Sequence, residues 1–254
     1  MLRDVLPGSY YSVLQPIRRY FLQNAAYKKQ HHYLERDELG YRDLKHKEMF
    51  FIRNKQLPKE LSVCAALIEN LHVLSLECLR AISAELQLND KNLLSVVDNE
   101  AVPETTCSSS ILRVIYYRAG MVNASACDIH QDLGLLTLLC PTNIPALEIY
   151  DHVADKGWMD IELAQGADDV IVMAGESLSL ISNGYYLPAT HRVRVPEEPR
   201  LSIFYQLRFK QDAIIDSQQF ETAVTGKFAK PFCFTGAEFL HKEIKVRRSV
   251  NGSY

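Results

Sequence analysis

The sequence predicts a mainly β protein, a sandwich or jelly roll with α-helices packed outside one sheet. Three observations carry that reading. Apolar residues recur at helical spacing in the first hundred positions, and after about residue 105 the chain changes to short runs of branched and aromatic residues. The separators between those runs hold Gly, Pro, Asn or Asp, and the runs follow one another too closely for alternating βαβ units.

In chain order, Tyr10, Val13, Leu14, Ile17, Tyr20 and Phe21 fall at three- and four-residue steps, one face of a helix. A longer helix is expected from Leu61, where Leu61, Cys64, Leu67, Ile68, Leu71, Leu74, Cys78, Ile82 and Leu86 keep the period. Pro58 stands near its start, where a missing N–H costs least. Between the helices, the stretch holding Gly40-Tyr41 and Lys47 to Phe51 reads as a polar, aromatic-dotted connection. Strands are expected at Ile111 to Tyr117, Leu135 to Cys140, Ala146 to Tyr150, Val170 to Met173, Ser177 to Ile181 and Leu201 to Phe209.

Composition sets outer bounds. With 254 residues, 47% hydrophobic and 23% charged, the chain has enough apolar material for a substantial core. A net charge of −3 leaves no basic excess for a phosphate backbone, so nucleic acid is not an expected partner. MLRDVLPGSYYSVL has no charged-then-apolar leader, and no run approaches the roughly 20 apolar residues of a membrane span. A cytoplasmic location is therefore expected, with neither a membrane nor an obligate protein partner. The six cysteines are scattered without CxxC spacing and read as buried free thiols.

The chemistry centres on His130-Gln131-Asp132, an imidazole and a carboxylate two positions apart, which on an extended chain share a face. Eight histidines and 31 acids produce about one such coincidence by chance, so the surroundings decide. They form an H-x-D-x-G-x-L-T-x-L pattern from His130 to Leu139. Gly175-Glu176-Ser177-Leu178, Ser182-Asn183-Gly184-Tyr185, Ala189-Thr190-His191-Arg192-Val193 and Arg200-Leu201-Ser202 follow.

In this order the series resembles the isopenicillin N synthase-like branch of the iron(II)- and 2-oxoglutarate-dependent dioxygenases over most of residues 40 to 210. The resemblance implies a double-stranded β-helix (jelly roll) with N-terminal helices on one sheet. It also implies oxidation of a small organic metabolite, by hydroxylation or desaturation, with release of succinate and CO2. Fe(II), 2-oxoglutarate and O2 are the implied cofactors, with ascorbate as an accessory reductant. Two imidazoles and a carboxylate on one side of a divalent ion leave the other side open, the facial arrangement of non-haem iron oxygenases. His130, Asp132 and His191 are accordingly the expected iron ligands. In the resembled family the arginine and serine of R-x-S, here Arg200 and Ser202, hold the distal carboxylate of 2-oxoglutarate. The second tyrosine of an L-R-x-N-Y-Y-P run, here Tyr117, assists. Ile115 stands in place of that run's asparagine and Arg118 in place of its proline, which leaves room for relatives that do not consume an oxo acid.

Strand alternation adds the substrate space. If Tyr117 faces the cavity, so does Arg113; if Arg200 and Ser202 face it, so do Phe204, Gln206 and Arg208. An unpaired buried guanidinium is costly, so each arginine should meet an internal acid, water or an anionic substrate. Two readings stand side by side: an anionic small molecule with Phe51 as an apolar wall, or internal salt bridges at the cavity rim. Relatives usually begin with an I-P-x-I-D strand and a helix ahead of the segment that Tyr10 to Phe21 resembles. The sequence starts after both, which is open to three readings: a shortened natural form, a truncated gene model or a protein that fills the gap differently. Without that strand a sheet edge could be left unpaired. One domain is expected over 1–254, with a helical part at 1–100, a jelly-roll catalytic core at 105–225 and a tail at 226–254, where Lys242 to Arg248 reads as solvated. Two rivals stand beside the main reading: an iron oxidase of the same fold that does not use 2-oxoglutarate, and a non-catalytic binding protein on a degenerate oxygenase scaffold.

Overall fold

A computed structural model describes residues 1–6, 10–33, 38–44, 46–101, 103–104, 106–120, 126–142 and 144–241. The basic stretch 242–248 lies outside the described residues. The elements run α1 (Tyr10–Phe21), α2 (Ala25–Lys29), β1 (Gly40–Asp43), β2 (Lys47–Ile52), α3 (Cys64–Glu85), α4 (Asp90–Ser95), β3 (Ile111–Tyr117), β4 (Cys127–His130), β5 (Leu136–Leu139), β6 (Leu147–Asp151), β7 (Gly157–Asp160), β8 (Ile171–Ala174), α5 (Glu176–Ile181), β9 (His191–Val193), β10 (Arg200–Leu207), β11 (Ile214–Asp216) and β12 (Cys233–Thr235).

Two antiparallel sheets build a jelly roll. The larger has the order β1-β2-β3-β10-β5-β8, the smaller β4-β9-β6-β7, and β11-β12 form a separate pair. The larger sheet is buried on both faces, and its two-residue alternation sorts the side chains. Phe50, Ile52, Leu112, Val114, Leu138, Leu201, Ile203 and Tyr205 join the core made with Ile17, Tyr20, Leu67, Ile68, Leu71 and Leu79 of α1 and α3. The opposite face sends Ile115, Tyr117, Leu139, Ile171 and Met173 toward Leu147 and Val193 of the smaller sheet. The helices brace one side of the large sheet, and the space between the sheets is left for the site.

Several expectations need correcting. The presumed connection at Gly40-Tyr41 and Lys47 to Phe51 forms β1 and β2. Five of the six residues of β2 are buried, because it is covered on both faces, so it lacks the apolar/polar alternation of a half-exposed strand. Ser177 to Ile181 belongs to the helix α5, not to a strand. The sequence S-L-S-L-I alternates, yet Ser177, Leu178 and Ile181 are the buried positions, a helical spacing. The stretch Lys59–Glu85 is long and apolar enough to span a membrane, with mean hydropathy 1.4, contrary to the expectation from run length. Its buried face, Leu67, Ile68, Leu71 and Leu79, packs on the large sheet instead. Leu2 and Val170 exchange backbone hydrogen bonds of 2.8 and 2.9 Å, so residues ahead of α1 cover the approach to β8 at a sheet edge. None of the six cysteines is in a disulfide among the described residues, but Cys233 is exposed and Cys78, Cys107 and Cys127 are half-buried, against the expectation of burial.

Candidate metal centre

The ladder between β4 and β9 makes His130 and His191 register partners, with ring centroids 4.2 Å apart. The strand ends at His130, so Asp132 reaches the pair from the following turn rather than by same-face alternation along one strand. Its Oδ1 lies 4.0 Å from His130 Nε2, and its Oδ2 lies 3.9 Å from His191 Nε2. The ligand atoms of the three residues all fall within 4.8 Å of one another.

Their surroundings prepare them as ligands. His130 Nδ1 meets the Asp128 carbonyl at 2.7 Å and His191 Nδ1 the Ala189 carbonyl at 2.9 Å. A carbonyl only accepts, so each Nδ1 carries a proton and donates it, which leaves both Nε2 lone pairs turned toward Asp132. Burial pushes the His191 imidazole below the ordinary histidine range, favouring its neutral form. For Asp132, burial acts to raise the pKa, but the charge of His191 and His130 when protonated and the Thr137 hydroxyl outweigh it and hold the carboxyl below its usual value. Thr137 donates to Asp132 Oδ2 at 2.6 Å. The Glu176 N–H donates to the Asp132 carbonyl at 2.8 Å. The neighbouring Gly175 lies so close to this turn that a Cβ there would stand 2.1 Å from the Gly134 carbonyl oxygen.

The centre opens into a cavity of about 370 Å³ lined by all eleven residues named from the sequence: His130, Asp132, His191, Arg200, Ser202, Tyr117, Arg113, Phe51, Phe204, Gln206 and Arg208. Register places Tyr117 opposite Arg200 and Ile115 opposite Ser202. Arg200 is 1% exposed. Its Nη2 donates to Glu162 Oε1 at 2.6 Å, its Nε donates to the Ile144 carbonyl at 2.9 Å, and its Nη1 is buried with no partner among the described residues. The other Glu162 oxygen accepts the N–H groups of Ala146 and Leu147.

Elsewhere in the cavity, Arg113 and Arg208 do not stand free. Both pair with Glu38, Arg113 at 2.5 Å and Arg208 through both terminal nitrogens. The Arg113 guanidinium also lies over the rings of Phe51 at 5.6 Å and Phe204 at 5.9 Å. Burial alone would raise the Glu38 pKa, but Arg208 and Arg113 hold it well below the carboxylate range. Sequence reasoning missed Glu38, Thr137 and Lys47, which also line the cavity, and Glu162, which pairs with Arg200. For Lys47 the signal was the register of Lys47, Met49 and Phe51 on alternate positions of β2; for Thr137 it was the L-T-x-L run.

The donor set fits a divalent metal of the Fe(II) type, because two imidazole nitrogens and a carboxylate converge from one side while the other side faces the cavity. A closed structural zinc site would need a fourth protein ligand. The buried Nη1 of Arg200 fits a ligand that brings an oxygen acceptor.

The profile of the 2OG-Fe(II) oxygenase superfamily matches residues 108–209, which include the three ligands and R-x-S. The matched segment, 102 of the 254 residues, is thus similar to that superfamily. Isopenicillin N synthase of Flavobacterium sp. (strain SC 12,154) is 33% identical over 87 residues, 34% of this chain and 25% of that protein. Flavonol synthase 1 of Crocosmia x crocosmiiflora is 33% identical over 69 residues, 27% of this chain and 19% of that protein. The matched stretches thus span a quarter or less of these relatives. A full-length Neurospora crassa protein solved in complex with alpha-KG has the same fold, with TM-score 0.77 at 19% identity over 95% of this chain and 82% of that one.

Proposed function

We propose that the protein is an Fe(II)- and 2-oxoglutarate-dependent dioxygenase that oxidises a small organic metabolite, releasing succinate and CO2. The observation that carries this reading is the convergence of His130, Asp132 and His191 at the floor of a cavity that also holds Arg200, Ser202 and Tyr117. When bound there, Fe(II) supplies the redox chemistry with O2 as oxidant, and 2-oxoglutarate supplies electrons as it is decarboxylated to succinate. The chain's own part is positioning. His130 and His191 offer Nε2, Asp132 offers a carboxylate kept ionised by its neighbours, and Thr137 fixes that carboxylate's orientation. Arg200, Ser202 and Tyr117 bind the oxo acid, while Ile115, Met49, Leu139 and Met173 exclude water from between the sheets.

The substrate in this proposal is anionic. Glu38 neutralises one of the two guanidiniums of Arg113 and Arg208, so a net positive charge remains beside the aromatic walls Phe51 and Phe204. The cytoplasm is the proposed location. Incubating the protein with Fe(II), O2, ascorbate and 2-oxoglutarate tests the activity by succinate release, and a panel of small carboxylic acids and neutral analogues tests the substrate class. The expected result is succinate formation that His191→Ala abolishes and that carboxylic acids stimulate. Oxidation of a panel compound without succinate would establish the rival iron oxidase, and stimulation by neutral compounds alone would remove the anionic substrate.

A further inference from the structure

One end of the cavity holds two cations, not one. Register places Lys47 opposite Tyr117 on β2 and β3, and Tyr117 opposite Arg200 on β3 and β10, so the three side chains form one row across the inner face of the large sheet. Lys47 Nζ lies 5.8 Å from the centroid of the Tyr117 ring, and Arg200 Cζ lies 5.3 Å from it. Lys47 is 7% exposed, Tyr117 3% and Arg200 1%.

The two cations are balanced differently. The charge of Arg200 is met by Glu162, itself fully enclosed, at 2.6 Å. The Lys47 ammonium donates to the Ala126 carbonyl at 3.2 Å and has no carboxylate within salt-bridge distance among the described residues. Its chain neighbour Glu48 points to the opposite face, where Lys28, Tyr41 and Arg118 claim it. A buried ammonium without a counter-charge is costly, so a site that retains one is shaped for an anion supplied from outside. Arg200, Lys47 and Glu162 together leave one positive charge at this end, the complement of one carboxylate.

Resting on the 2-oxoglutarate reading above, we propose that Lys47 supplies the charge that holds the distal carboxylate of 2-oxoglutarate, with Arg200 reduced by its Glu162 pair to a hydrogen-bond donor through Nη1. This division of labour accommodates Ile115, whose apolar side chain lies in the next row between Met49 and Ser202 and offers the oxo acid no hydrogen bond.

The test measures equilibrium binding to the anaerobic Fe(II)-loaded protein by calorimetry for two probes: 2-oxoglutarate, and 2-oxopentanoate, which has the same oxo-acid head without the distal carboxylate. Lys47→Gln keeps a hydrogen-bond donor for Ala126 and removes the charge; Lys47→Arg restores it. Lys47→Gln should weaken 2-oxoglutarate binding about 10- to 100-fold while changing 2-oxopentanoate less than about threefold, and Lys47→Arg should recover most of the loss. Equal weakening of both probes, or wild-type affinity for 2-oxoglutarate in Lys47→Gln, would overturn the assignment of Lys47. Failure of the wild-type protein to bind either oxo acid would instead overturn the underlying 2-oxoglutarate reading.

Discussion

Among the described residues the side-chain carboxylate of Asp132 accepts from one neutral donor, the Thr137 hydroxyl at 2.6 Å, and that bond decides how the carboxylate faces the two imidazoles. Thr137→Val removes the hydroxyl at constant shape and should weaken Fe(II) or Co(II) binding about 10- to 100-fold, the usual effect of deleting a partner behind a metal ligand. A competition titration against a chromophoric chelator reads this directly. Glu38 gives a prediction in pH. Its folded-state pKa is depressed by Arg208 and Arg113, so its stabilising contribution is present above the ordinary carboxylate value and is lost as pH falls below it. Glu38→Gln should therefore cost about 1–3 kcal/mol at pH 7, and the difference from wild type should shrink in thermal melts taken near pH 3.5. The triad that converges, His130, Asp132 and His191, was legible in the sequence because imidazole is scarce and its spacing to a carboxylate is informative. Glu38 and Glu162 were not: acids are common, and their arginine partners lie 170, 75 and 38 positions away, distances that only the folded sheet order closes.

At the scale of elements, the turn carrying Asp132 and the start of α5 are packed backbone to backbone. A Cβ at Gly175 would stand 2.1 Å from the Gly134 carbonyl oxygen and 2.8 Å from the Asp132 carbonyl oxygen, and neither atom is a flexible side-chain end. Gly175→Ala should cost about 1–3 kcal/mol of stability through the forced shift, and because that shift moves the Asp132 turn it should weaken metal binding in the same variant. Denaturant melts and a metal titration check the two effects separately; loss of stability with unchanged metal affinity would uncouple the turn from the site. Strands β3, β5, β6, β8 and β10 could be read from runs of branched residues. β2 could not, because a strand covered on both faces loses the contrast between its faces, and α5 was misread because the four alternating residues Ser177 to Leu180 inside a six-residue helix carry both periods at once.

Across the whole molecule, the two sheets divide the work. The large sheet contributes the row Lys47, Tyr117 and Arg200, proposed to hold the oxo acid, along with the cluster built from Arg113, Arg208 and Glu38, and the small sheet contributes the two histidines. Helices α1 and α3 back the large sheet from behind, so most of the cavity wall is strand, as positioning chemistry requires, with Asp132 and Glu38 brought in from turns. The central claim is that three side chains hold one iron while an oxo acid chelates it from the open side. Anaerobic titration of the protein with Fe(II) and 2-oxoglutarate, followed by visible absorption, tests it most directly. A charge-transfer band that needs both additions, saturates at one iron per chain and vanishes in Asp132→Ala is the predicted result. Absence of the band in the wild-type protein, or its persistence in Asp132→Ala, would contradict the account.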